Sequence, residues 1–180
     1  MTAARPIHAR RYSRGAILFH WTIAACVLVN LWIGLVGGSM AAHKAVGVTV
    51  LVLTLGRIGW RIGHAPPPLP AGMPAWERAI AKATHLLFYA LLLIVPLSGW
   101  AMVSGTTRRP LDWFGLFPIP YLPIPPAVAG LGHEVHEVVG FAMAGLVALH
   151  VAAALRHHFI LRDEVLLRML PGVASPADAP

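Results

Sequence analysis

Four stretches of the chain, about 16–36, 43–63, 81–103 and 133–158, are nearly unbroken apolar runs, and the polar residues gather between them. Each run approaches the ~20 residues that a helix needs to cross a bilayer. The pattern predicts an all-α fold, an integral membrane bundle of four helices. The first run follows the basic stretch RRYSRG, as the apolar core of a signal peptide would. It is longer than the usual core of about 7–15 residues, and so reads as a retained helix. The linkers differ in character. Residues 64–78, HAPPPLPAGMPAWER, are rich in proline and can neither continue a helix nor pair inside a sheet. Residues 104–132 mix prolines with aromatics, which suits an ordered cap at the membrane interface. The four runs and their linkers make one membrane domain over 1–172, and 173–180 reads as a disordered tail. No internal repeat is evident.

Composition agrees with this pattern. Of 180 residues, 57% are hydrophobic and 12% charged, outside the range of soluble domains. A net charge of +7 would suit a nucleic-acid partner, but the basic residues sit in short clusters between apolar runs and form no continuous stripe, which argues for no nucleic acid. Their placement orients the bundle instead. Arg5, Arg10, Arg11 and Arg14 precede the first run, Arg57, Arg61, Arg78 and Lys82 flank the second connection, and Arg156, Arg162 and Arg168 follow the fourth run. Lys44, Arg108 and Arg109 fall on the other side. Basic loops stay in the cytoplasm, so both termini are expected there. In a bacterium the membrane would be the inner one and the first and third connections would face the periplasm. The single cysteine, Cys26, excludes an internal disulfide, a CxxC zinc site and covalent haem attachment through CxxCH. It reads as a small apolar residue on a buried helix.

Candidate chemistry comes from histidines at membrane depth. His136 and His150 lie fourteen residues apart on the fourth run, about 21 Å of helix and nearly four whole turns, so they share a face at two depths. Polar side chains inside a bilayer are costly, face the bundle interior and mark function. The topology supplies a partner at each depth: His20 on the first run for His150, and His43 at the start of the second for His136. Two facing pairs suit two non-covalent, bis-histidine b haems, with no open position on either iron, which favours electron transfer. Zinc would need three or four ligands converging within ~2.1 Å of one ion, whereas these histidines lie at two depths. The small residues Gly34, Gly47, Gly140, Ala144 and Gly145 would leave room for porphyrin faces or for plain helix packing. His85 has no evident partner at haem spacing and is a candidate contact for a haem propionate, a quinone or a helix carbonyl. His157 and His158, with Arg14 in the same basic cap, are candidates for quinone or propionate contact. His133 is either a support for the outer haem or a surface residue, and His8 and His64 read as loop residues.

Several short motifs, taken in order and spacing, resemble the bacterial cytochrome b561 family of small four-helix dihaem membrane proteins. They are FHW at 19–21, HKAVG at 43–47 with GRIGWRI after it, HLLFY at 85–89, PLSGW at 96–100, WFGLF at 113–117 and ALHVAAALRHHFILRDEVLLRML at 148–170. The resemblance implies the same ligands, His20 and His150 on the cytoplasmic side and His43 and His136 on the outer side. It also implies a reaction: electrons pass between an outer donor and a quinone, and some members suggest a superoxide oxidase that reduces ubiquinone. Lys44, Arg108 and Arg109 could steer an anionic donor, neutralise propionates or anchor at lipid headgroups. The loop PIPYLPIPPAVAGL, 118–131, has no acidic residue and reads as peculiar to this chain, which leaves the identity of the donor open.

Two rivals remain at this stage. One keeps the haems but makes the chain a docking subunit for a dehydrogenase or a periplasmic redox partner. The other is a histidine-lined metal or proton transporter. Against the latter, the runs contain no carboxylate deep in the membrane: Asp112, Glu134 and Glu137 are placed outside, and Glu77, Asp163, Glu164 and Asp178 inside.

Overall fold

A computed structural model describes residues 11–70, 72–105 and 110–171. Four long helices dominate it: α1 Arg14–Leu35, α2 Met40–Gly63, α3 Ala75–Ser104 and α4 Pro126–Leu155, the last running on through a π-helical turn at Arg156–Leu161. All four are long and apolar enough to span a membrane. Serine hydroxyls start the first two. Ser13 Oγ accepts from the Ala16 N–H at 3.3 Å and Ser39 Oγ from the Ala42 N–H at 3.3 Å, each meeting a donor that has no partner in the first turn. Prolines start the other two: Pro74 immediately precedes α3, and Pro126 opens α4, where a missing N–H costs nothing. These prolines let α3 and α4 begin at Ala75 and Pro126, ahead of the apolar runs at 81 and 133.

The helices alternate in direction, so the bundle has one end with both termini and the α2–α3 link, and an opposite end with the α1–α2 and α3–α4 links. They are called here the termini end and the hairpin end. Gly37, at φ +129°, takes the α1–α2 link through backbone space that side chains disfavour. Neighbours pack in sequence, α1 on α2, α2 on α3 and α3 on α4. Neither α1 nor α2 packs closely on α4. A single apolar layer crosses mid-bundle, built from Ile23 of α1, Val50 of α2, Leu91 and Leu92 of α3 and Met143 of α4. Many large apolar side chains outside it, among them Leu18, Trp32, Leu86, Val138 and Phe141, are exposed on the helices, as a lipid-facing surface requires.

Both ends are covered. At the hairpin end the α3–α4 link is ordered where described: a two-stranded ribbon, β1 Asp112–Trp113 paired antiparallel with β2 Phe117–Pro118, closes a small core of Val103, Leu111 and Ile119. The Trp113 indole donates to Thr49 Oγ1 of α2 at 3.0 Å, and Trp100 of α3 donates to the Pro120 carbonyl at 2.9 Å. At the termini end, residues 162–171 fold back across the bundle. Trp21 Nε1 donates to the Met169 carbonyl at 2.7 Å, Arg168 reaches the Pro68 carbonyl at 2.8 Å, and Arg11 bonds the Leu170 carbonyl. Arg156 and Glu77, 3.2 Å apart, tie the end of α4 to the start of α3. The tail expected over 173–180 lies outside the described residues.

Candidate functional site

The fourteen-residue interval on α4 sets two levels, with Met143 and the apolar layer midway between them. At the hairpin level, His43 of α2 faces His136 of α4 with ring centres 6.0 Å apart and planes at 86°. At the termini level, His20 of α1 faces His150 of α4 at 6.2 Å and 68°. An iron between two imidazoles, at roughly 2 Å from each nitrogen with about 1.1 Å more to each ring centre, separates the ring centres by about 6 Å. Both pairs have that separation. Each pair also bridges helices that do not pack closely, α2 with α4 and α1 with α4, which is where a flat macrocycle could enter. The donor set therefore fits b-type haem.

Second contacts differ between the levels. His43 Nδ1 lies 3.2 Å from the Asn30 carbonyl, and His136 Nδ1 lies 2.8 Å from the Val95 carbonyl. A carbonyl only accepts, so both Nδ1 atoms carry protons and both Nε2 atoms keep free lone pairs, the tautomer that a ligating histidine needs. Ser98 Oγ, 3.4 Å from His136 Nδ1 and donating to the same Val95 carbonyl at 2.9 Å, further fixes that ring. Two glycines make the space. A Cβ at Gly34 would stand 3.1 Å from the His43 ring, and one at Gly99 would stand 2.9 Å from the His136 ring. At the termini level, His20 Nδ1 instead faces Arg57 Nη1 at 3.4 Å. A guanidinium only donates, so this nitrogen accepts.

His85 departs from the sequence expectation that it has no partner at haem spacing. Its ring centre lies 6.3 Å from that of His150, as close as His20 is. The reason is that α3 packs tightly on α4, a neighbour relation that the apolar pattern does not encode. The ring separations do not distinguish the two, but α3 packs closely on α4 whereas α1 does not.

The other candidates are spread over the molecule. His157 Nδ1 is 2.5 Å from Asp163 Oδ2 in the segment that folds back, and His158 packs edge-on against its neighbour Phe159. Arg14 is exposed at the first turn of α1. Lys44 bonds the Pro110 carbonyl and so ties α2 to the hairpin cap. His133 is exposed with Nδ1 3.0 Å from Met102 Sδ, and His64 stacks on Trp60 at 4.0 Å. Arg108, Arg109 and His8 lie outside the described residues. Among the glycines expected to leave room, Gly140 and Gly145 border open space and Gly34 abuts His43. Among the described residues, no three His, Cys, Asp or Glu side chains converge as a metal-ion site.

Sequence reasoning gave no site role to Asn30, Arg57, Ser98 or Gly99. Arg57 had a signal: it follows His43 by fourteen residues, as His150 follows His136, and so stands on the same face of α2 at the second level.

Residues 11–172 match the family model described as prokaryotic cytochrome b561. Among characterised proteins, the chain is 32% identical over 173 residues to cytochrome b561 homolog 2 of Escherichia coli K12, covering 89% of this chain and 91% of the relative. It is 30% identical over 174 residues to cytochrome b562 of Cereibacter sphaeroides, covering 88% and 94%. A third relative, named "Probable superoxide oxidase CybB", from Yersinia pestis, is 26% identical over 180 residues, covering 90% and 97%. Four spanning helices with facing imidazoles and a family match over nearly the whole length lead to one conclusion: the chain belongs to the prokaryotic cytochrome b561 family, multi-pass bacterial membrane proteins that bind b-type haem and transfer electrons.

Proposed function

We propose that this chain holds two non-covalent b haems and carries electrons across the bacterial inner membrane, from a donor at the periplasmic hairpin end to a quinone at the cytoplasmic termini end. The observation that carries the reading is the two imidazole pairs, at 6.0 and 6.2 Å, stacked at two levels of one bundle. Bound haem would supply reversible one-electron chemistry, and the protein supplies position, dielectric and charge. His43 and His136 would ligate one haem through the nitrogens left free by the Asn30 and Val95 carbonyls. His20 and His150 would ligate the other, because α1 and α4 leave a gap that α3 and α4 do not. The layer of Ile23, Val50, Leu91, Leu92 and Met143 keeps water from the space between the levels. At the termini end, the His157–Asp163 pair and His158 border the region where a quinone would exchange protons with the cytosol. The similarity to a protein named as a superoxide oxidase, with Lys44 at the hairpin end, favours a small anionic donor such as superoxide and ubiquinone as acceptor.

His85 supports a second reading of the termini-level ligands, since it sits at the same separation from His150 as His20 does. Purified protein should show two b haems per chain in reduced-minus-oxidised spectra, with reduction by superoxide and reoxidation by ubiquinone. His20→Ala and His43→Ala should each remove one haem, and His85→Ala none. Retention of both haems in His20→Ala with loss of one in His85→Ala would move the ligand to α3. Two haems inert to superoxide would make the chain a docking subunit for a redox partner, and a colourless protein would overturn the reading.

A further inference from the structure

At the termini end, α1, α2, α3 and the start of the α2–α3 link line an open-mouthed pocket of about 20 Å³, somewhat more than one water-sized group requires. Its walls include Tyr12, Ser13, Arg57, Trp60, Arg61 and Tyr89. The walls are built, not incidental. The Trp60 indole donates to Ser13 Oγ at 3.1 Å and fills the space that a side chain at Gly15 would take. Arg57 Nε donates to the Tyr89 hydroxyl at 3.3 Å, and the two guanidiniums lie 5.8 and 5.9 Å from the Tyr89 ring centre.

The charge here is unbalanced. No carboxylate lines the cavity, and neither Arg57 nor Arg61 has an ion-pair partner among the described residues. Arg61 stands in the last turn of α2, where the helix dipole favours a cation. Arg57 stands a full turn deeper, half-buried, on a helix that spans the membrane. An intramembrane charge of this kind calls for a counter-charge. Its nearest non-tyrosine acceptor is His20 Nδ1, at 3.4 Å. A neutral imidazole that ligates through Nε2 carries its proton on Nδ1, so a ligating His20 would no longer accept from Arg57. Two like-charged guanidiniums, a phenol and an indole then surround a space suited to one small group that only accepts.

We propose that this cavity is an anion site for a carboxylate or phosphate group, with Arg57 and Tyr89 forming its inner wall and Arg61 its mouth. The group has two sources. One is a propionate of the haem at the His20 level, which rests on the functional reading above; the other is the phosphate of an anionic phospholipid at the membrane surface, which does not.

The test uses full-length protein purified from membranes, with Arg57→Gln, Arg57→Lys and Arg61→Gln, and Arg78→Gln as an exposed control. Potentiometric titration and the phosphatidylglycerol retained per chain are measured on each. If the anion is a propionate, Arg57→Gln lowers one of two reduction waves by a tenfold change in equilibrium, 59 mV for one electron, because lost positive charge disfavours the reduced iron. The other wave stays, Arg57→Lys restores most of the shift, and Arg61→Gln gives a smaller shift in the same direction. If the anion is a lipid phosphate, retained phosphatidylglycerol falls by one per chain in Arg57→Gln and in Arg61→Gln, and Arg61→Gln leaves both waves in place, since only Arg57 lies beside His20. Waves and lipid content unchanged in both Arg57→Gln and Arg61→Gln would overturn the proposal. A chain without haem would defeat the functional reading and leave the lipid measurement to decide this one.

Discussion

Gly99 shows how a single absent side chain can define a ligand's position. The His136 ring that it faces cannot retreat, because its Nδ1 is bound to the Val95 carbonyl at 2.8 Å and flanked by Ser98. A methyl group at 99 would meet the ring at 2.9–3.0 Å, closer than normal van der Waals contact. Under the proposed two-haem reading, Gly99→Ala is therefore expected to displace His136 and lower the haem content at the hairpin level, from two haems toward one in a pyridine haemochrome assay. Gly59→Ala, where a Cβ meets nothing within 4 Å, should leave both haems and stabilise α2 by up to about 1 kcal/mol. An equal loss of haem in both variants would show that Gly99 acts through general packing and not through His136.

Among the elements, the α3–α4 link does more than connect. Its ribbon is too short to be stable alone, and hydrogen bonds in both directions hold it: Trp113 of the link donates to Thr49, while Trp100 and Lys44 of the bundle donate to the Pro120 and Pro110 carbonyls. Thr49 Oγ1 both accepts from Trp113 and donates to the Ala45 carbonyl at 2.9 Å, so the cap is fastened to the turn of α2 that follows His43. Trp113→Phe keeps an aromatic ring there and removes one hydrogen bond, worth about 1 kcal/mol. The expected result is a thermal midpoint lowered by about 2–4 °C in detergent, with haem content retained. A midpoint that does not move would mean that the indole N–H finds no partner in the folded protein.

At the scale of the whole molecule, orientation decides which end meets which partner. The basic residues gather at the termini end, which predicts a cytoplasmic location for that end. Green fluorescent protein fused at the C-terminus should fluoresce, and alkaline phosphatase fused at the same place should be inactive in cells. The opposite pattern would turn the bundle over and exchange the donor and acceptor sides. It would leave the two imidazole levels intact, since they depend on packing between helices and not on the direction of insertion.

The four spanning helices were legible before any fold was known, because runs of some twenty apolar residues have little alternative to a helix in a bilayer. Two levels of histidines were legible in the same way, because fourteen residues return a helix almost to the same face. Both histidine pairings follow from that repeat and from the alternating direction of the helices. What surrounds each imidazole follows from helix packing alone. Whether α3 or α1 lies close to α4 is set by side-chain fit, since a Cβ at Gly132 would stand 3.0 Å from the α3 backbone, and no periodicity records it. For that reason His85 emerged as a neighbour of His150 only in the fold. The carbonyls that orient His43 and His136 belong to backbone, which carries no residue-specific signal. Arg57 reaches His20 and Tyr89 only because three helices converge at one end, where distant stretches of chain become one electrostatic environment.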